Sequence, residues 1–204
     1  MKNRWSEEKA AQFAEIYKDW GPDLSVRLYS SSLIGSEESL VLHGGGNASV
    51  KTVHTDLLGD SIEAIFVKAS GYNMVCADPA SYTGLHLEYL RKLRTLSALT
   101  DEKMANEFRT HFLSSNAAAP SIETLLHAFI QGKFVDHTHP DAILAVSNQL
   151  GGEERLKEAL GSAVPIVRYL PSGFKLANAV ADIVDASPDA KAVVLMHHGL
   201  ATWG

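Results

Sequence analysis

Apolar residues at Phe13, Ile16, Tyr17 and Trp20 recur at helical spacing behind Ser6, whose hydroxyl suits a helix N-terminus, so the chain opens with a helix. Gly21-Pro22 ends it, and a second helix is predicted from Asp23 to about Ser32. LVLHGGGNASVKTV reads as strand, glycine turn, strand, and IEAIFVKASG as a further strand closed by Ser70-Gly71. Residues 79 to 113 carry helical pattern in two pieces, broken near Leu99-Thr100. After a loop at SNAAAP, the segment SIETLLHAFIQG predicts a helix with Ser121 as cap and Gly132 as stop. The strand FVDHTH follows, then a helix from Pro140 and a short charged helix near residues 153 to 160. The strand VPIVRYL, a helix over about 174 to 186 and a last strand, KAVVLMHHGL, complete the chain. No internal repeat or low-complexity linker interrupts this order. Hairpin-like pairs early and alternation later predict an α/β fold, a mixed sheet covered by helices.

Composition narrows the partners. The length suits one domain, or one domain and a fragment, with ample chain to bury a core. Acidic residues outnumber basic ones, 24 to 18, which gives no support for a nucleic-acid or anionic-membrane surface. Cys76 is the single cysteine, so no intramolecular disulfide forms and a reducing compartment is expected. The N-terminus MKNRWSEEKAAQF is charged and lacks the apolar run of a secretory signal, and no apolar stretch approaches a membrane span. A cytoplasmic location is the expectation.

The chemistry-bearing residues are unevenly placed. In a strand, Val135, His137 and His139 share one face, and two imidazoles side by side suit a divalent metal better than an apolar core. For an isolated H-x-H, a pair of surface histidines at a strand end is an equal alternative. A catalytic zinc takes three protein ligands and leaves one position open, and a third candidate stands in VVLMHHGL. His197 and His198 are adjacent and point to opposite faces of a strand, so only one can join; His198 is favoured because Gly199 lets the backbone approach closely. Taken alone, this histidine reads more simply as one satisfied by hydrogen bonds.

Glu123 falls in the first turn of the SIETLLHAFI helix, where a carboxylate favours the dipole, and also where a general base can stand beside a metal held by His137. His127, one turn on, reads either as a support for the site or as a packed histidine, and the second is the preferred reading. HGGGNASV, the Ser70-Gly71 corner and Ser121 each offer backbone N–H groups or hydroxyls to an anion, though for a lone glycine run a tight hairpin turn is the simpler reading. No G-K-[ST] follows the glycines, so this is no P-loop, and no G-x-G-x-x-G follows a strand, so this chain is not expected to bind a nicotinamide cofactor.

Taken in order, H-G-x-G-N-x-S, S-G after a strand, P-S-x-E-x-x-x-H on a helix, H-T-H-P and H-G-L resemble the class II aldolase/adducin family, from about Arg4 to the last residue. RWSEE, LVLHGGGNASVKT, PSIETLLHAFI, VDHTHPDAILA and HGLATWG look most like the aldolase half of bacterial bifunctional rhamnulose-phosphate aldolase/short-chain dehydrogenases. The resemblance implies an α/β/α layered fold with a central, largely antiparallel sheet. It implies zinc or another divalent metal on His137, His139 and His198, Glu123 as the catalytic carboxylate, and a phosphate cradle of Asn47, Ser70, Gly71 and Ser121. Two departures stand out. Ile122 occupies a place where many sugar-phosphate members carry a second hydroxyl, which predicts weak phosphate binding, and the segment from about 78 to 116 is longer than in compact aldolases.

The implied reaction is retro-aldol cleavage of a ketose 1-phosphate, rhamnulose- or fuculose-phosphate-like, to dihydroxyacetone phosphate and an aldehyde. Relatives use the same metal site for sugar-phosphate epimerisation or dehydration, and adducin-like heads keep the fold for assembly without the histidines. Family members are commonly tetramers, so a homo-oligomer is expected. The chain stops at LATWG, where members continue with further aldolase elements and bifunctional ones add a dehydrogenase. Residues 1–204 are therefore read as one class II aldolase-like domain cut short at its C-terminus.

Overall fold

A computed structural model of the protein describes residues 2–76 and 78–204. Two helices, α1 (Glu7–Ile16) and α2 (Pro22–Gly35), precede the hairpin of β1 (Asn47–Thr55) and β2 (Ser61–Lys68). The chain continues through β3 (Tyr82–His86), α3 (Leu87–Lys92), α4 (Asp101–Thr110) and α5 (Thr124–Phe129). Next come β4 (Phe134–Thr138), α6 (Asp141–Ser147), α7 (Gly152–Leu160) and β5 (Ile166–Val167). The order ends with α8 (Phe174–Asp185), β6 (Ala192–Leu195) and β7 (Gly199–Trp203).

The seven strands form one sheet in the order β3-β2-β1-β4-β7-β6-β5. Every pairing is antiparallel except β5 with β6. Alternation along each strand sends side chains to two helical layers. Ile65, Val67, Leu85, Val135 and Val193 face α3, α4, α5 and α8 through Leu90, Phe108, Leu125, Phe129 and Val180. On the other face Val50 and Phe66 pack on Leu24 and Leu28 of α2. Val194 packs there on Leu156 of α7. The architecture is an α/β/α sandwich with a largely antiparallel sheet.

Local chemistry explains most element ends. Ser6 accepts the Lys9 N–H and caps α1 as expected, and Thr100 accepts the Lys103 N–H to start α4 at the expected break. The apolar stripe of α1 is only half used: Phe13 and Tyr17 pack against the core, while Ile16 is exposed and Trp20 lies beyond the helix.

Four expectations are corrected. Residues 40–46 form turns rather than a strand, because the Ser39 and Leu40 carbonyls accept the Asp141 and His139 N–H groups and bind this segment to the end of β4. YTGLH is the edge strand β3, hidden in sequence by the helical pattern on its C-terminal side. The helix expected over 121 to 132 is only α5: Ser121 closes a turn ahead of it, and Ile130 is already extended because the chain must turn into β4. KAVVLMHHGL is a hairpin. Leu195 pairs with Gly199, and residues 196–198 form the turn, with His197 in the left-handed region at φ 59°. No helix among the described residues is long and apolar enough to cross a membrane.

One buried ion pair anchors β4 from behind. Arg27 of α2, 1 % exposed, meets Asp136 at 2.7 Å, but off the line of an ideal hydrogen bond, so the attraction is chiefly Coulombic. Replacing Arg27 by Met strands the carboxylate. Because Asp136 keeps 21 % exposure, the expected loss is near the lower end of the ~3–5 kcal/mol typical of breaking a buried pair. Urea denaturation of Arg27→Met, Asp136→Asn and the double variant checks this. The double variant should be less destabilised than the sum of the singles, and simple additivity would contradict the pairing.

Candidate metal and carboxylate site

The site is built around β4. In the antiparallel pairing of β1 with β4, Asn47 stands directly opposite His137, and β7 places Ala201 opposite His137 on the other side. His137 is fully buried, and His139 follows just past the strand end. The β6–β7 turn brings His198 in from the neighbouring strand, while the left-handed His197 is turned outward to Asn148. The histidine chosen from sequence is the one that enters, but the turn rather than strand alternation selects it. Gly199 is required there. A Cβ on it would lie 2.3 Å from the Thr138 carbonyl and 3.2 Å from the His137 ring.

Among the described residues, His137, His139 and His198 bring their candidate ligand atoms within 4.8 Å of one another, a group able to hold a metal ion. The Nε2 atoms of His137 and His139 are 3.0 Å apart. The Nδ1–H of His137 donates to the Leu200 carbonyl at 3.1 Å, which leaves Nε2 with its lone pair facing the cluster. Metal-bound imidazoles commonly hold their other nitrogen in this way. Burial pushes the His137 pKa down to about 4 against the opposing pull of Glu123, and burial lowers His139 as well. Neutral imidazoles are the form that ligates metal, so the donor set fits a divalent cation of the zinc type.

Glu123 occupies the N-cap position of α5 but does not cap it. Its carboxylate turns into the site instead. Oε2 accepts from Asn47 Nδ2 at 2.7 Å and stands 3.5 Å from His137 Nε2. Oε1 accepts from Ser172 at 3.1 Å and lies 3.1 Å from His198 Nε2. Burial alone raises this carboxyl, but His137 and the hydrogen bonds from His198 and Asn47 outweigh it and hold the group well below the usual carboxylate range.

The residues expected to cradle an anion lie along the adjoining rim. Asn47 Nδ2 also reaches Ser121 Oγ at 3.1 Å. The Ser70–Gly71 corner runs beside this segment, with the Ser70 N–H donating to the Ala119 carbonyl. Ile122 is 44 % exposed at the same place and adds no hydroxyl. A cavity of about 740 Å³ lined by Trp20, Thr52, Phe66 and Tyr82 holds none of these residues.

Two contributors escaped sequence reasoning, and a third was left between two readings. Ser172 lies 49 positions from Glu123, and its only local mark is the hydroxyl–glycine pair Ser172-Gly173. Lys68 is buried at the end of β2, where it donates to the carbonyls of Gly44, Ala69 and Tyr72 and so ties the glycine loop to the Ser70–Gly71 corner. Its burial lowers its pKa to about 8. A lysine inside the apolar run IFVK was the available signal. His127, read as a packed residue, is hydrogen-bonded at both ring nitrogens.

Residues 27–204 match the family described as Class II Aldolase and Adducin N-terminal domain. Over all 204 residues the chain is 36% identical to the Uncharacterized oxidoreductase YuxG of Bacillus subtilis (strain 168), and it spans 29% of that protein's length. The N-terminal Class II Aldolase domain of a conserved protein from Thermoplasma acidophilum superimposes with a TM-score of 0.88 at 36% identity, covering 100% of this chain and 89% of that one. A sugar-phosphate aldolase from Thermotoga maritima shares the fold at 16% identity and a TM-score of 0.63, over 97% and 86% of the two chains. Motif order, sheet topology and the match over nearly the whole length agree: the chain belongs to the class II aldolase/adducin family.

Proposed function

We propose that the chain is a zinc-dependent lyase that cleaves a ketose 1-phosphate of the rhamnulose- or fuculose-phosphate kind to dihydroxyacetone phosphate and an aldehyde. The observation that carries this reading is the convergence of three imidazoles on Glu123, beside a rim of amide and hydroxyl donors. His137, His139 and His198 would hold the metal, which supplies a Lewis acid for the negative charge that develops on substrate oxygens.

Every other role falls to the protein's own groups. Asn47, Ser70, Gly71 and Ser121 would bind and orient the phosphate, and the missing hydroxyl at Ile122 makes that grip weak. Glu123, ionised and held on both oxygens, would remove the proton from the dihydroxyacetone phosphate carbon in the condensing direction. Burial of His137 and Glu123 would keep bulk water away from the carboxylate during proton transfer. The histidines and the carboxylate together argue against an assembly domain without chemistry. The Bacillus subtilis relative is named an oxidoreductase and is matched over only 29% of its length, which supports a C-terminal dehydrogenase domain beside this one.

Elemental analysis is expected to find about one zinc per chain, the number a single three-histidine site holds. His139→Ala should lower occupancy sharply, and stoichiometric metal in a variant lacking both His137 and His139 would sink the assignment.

Crystals soaked in phosphate or sulfate should show the anion beside Asn47, Ser121 and Gly71. An anion bound reproducibly in the histidine pocket but far from all three would refute the cradle.

Glu123→Gln keeps the shape but cannot act as a base. It should retain zinc and lose roughly 10²–10⁴-fold in proton exchange at the dihydroxyacetone phosphate carbon. Exchange at the wild-type rate would exclude Glu123 as the base. This assay needs no aldehyde and so does not depend on the unknown product.

A further inference from the structure

We infer that His127 is a positioning residue: through a one-way chain of hydrogen bonds from Ser49, it fixes which end of the Asn47 amide faces Glu123. Asn47 and Ser49 alternate along β1 on the face that meets α5, where His127 projects toward both. His127 is fully buried, and each ring nitrogen has a partner: Nδ1 meets Ser49 Oγ at 2.8 Å and Nε2 meets Asn47 Oδ1.

Counting donors settles the direction. Asn47 Nδ2 has two hydrogens, one directed to Glu123 Oε2 and the other to Ser121 Oγ on the side of the anion rim. Oδ1 of the same amide is therefore an acceptor, and the His127 nitrogen against it must carry the proton. A neutral imidazole has one such proton, so Nδ1 is bare and accepts from the Ser49 hydroxyl. Burial disfavours the doubly protonated ring, which keeps the chain one-way.

The consequence falls on the site. Rotating the amide by half a turn would put Oδ1 against the Glu123 carboxylate, a repulsive contact in a buried place. It would also remove the amide donor from the anion rim. An apolar side chain at 127 would leave the two orientations of Asn47 to be decided by Glu123 and Ser121 alone. A buried Oδ1 would then lack a donor. His127 thus sets the polarity of Asn47 at the point where the carboxylate and the rim share one nitrogen.

The test begins with the ring itself. Imidazole nitrogen–proton correlation spectra of zinc-loaded, ¹⁵N-histidine-labelled protein should place the His127 proton on Nε2 from mildly acid to mildly alkaline pH, with the signal assigned by its loss in His127→Gln. A proton on Nδ1 would overturn the inference. Variants then read the effect on the site. His127→Leu removes the donor, and His127→Gln puts an amide nitrogen near the place of Nε2. The Leu variant should lose about 10- to 100-fold in proton exchange at dihydroxyacetone phosphate, with part of the loss in KM, and the Gln variant should recover most of it. Equal losses in the two variants, or none in Leu, would reduce His127 to a packing residue and contradict the proposal. If the Leu variant does not fold, Ser49→Ala carries the test. The His127 proton should then stay on Nε2 while the Nδ1 resonance moves to that of a bare nitrogen with no hydrogen-bond donor and exchange falls, whereas an Nδ1 resonance and a rate unchanged from wild type would overturn the chain. The rate measurements rest on the lyase reading. A wild-type protein that exchanges no proton would defeat that reading, while the position of the ring proton would still decide this inference.

Discussion

A fully buried imidazole must satisfy both of its nitrogens, and His137 imposes that demand at the centre of the sheet. Its Nδ1–H goes to the Leu200 carbonyl on β7, which fixes the ring. Its Nε2 is left facing His139 and Glu123 with no backbone partner. A lone pair buried beside other ring nitrogens and a carboxylate is costly unless a cation is shared among them. The rest of the site answers to this constraint. β1 supplies Asn47 from directly opposite, the β6–β7 turn supplies His198, and Gly199 is bare because any side chain there would strike the cluster.

Stability is given up locally to meet it. Glu123 stands where a side chain would normally cap α5, yet it leaves those N–H groups to the turn at Ser121 and directs its carboxylate inward. His197 is held in a left-handed conformation, and Lys68 is buried to clasp two loops by their carbonyls. Each departs from what a sequence chosen for folding alone would adopt, and each lies at the rim or floor of one site. Backing comes from outside that site: the Arg27–Asp136 pair secures β4 one residue before His137, and α5 and α8 seal its inner face.

The three clustered histidines were legible through the order of motifs that carries the family resemblance, since HTHP and HHGL taken singly left each histidine a simpler reading. The helix-covered mixed sheet was legible in the alternation of strand and helix periods, and its α/β/α layering in the family resemblance. The β6–β7 hairpin was not, because the apolar run continues through Met196 and nothing marks His197 as a residue that accepts a positive φ. β3 is only five residues long and adjoins α3, so period alone could not separate them. The partners of Glu123 lay further from view. Ser172 and Asn47 reach it across 49 and 76 positions, distances at which only the folded sheet brings groups together. His127 looked like packing because its apolar neighbours on α5 are packing, and its two polar contacts come from β1.

The central claim is that three imidazoles form one metal site beside Glu123, with a position left for substrate. X-ray absorption at the zinc edge on metal-loaded protein tests it most directly, since it reads the ligand shell itself. The account predicts a four-coordinate zinc with three imidazole nitrogens at about 2.0–2.1 Å and one oxygen. A shell dominated by water oxygens, or containing a cysteine sulfur at about 2.3 Å, would contradict it.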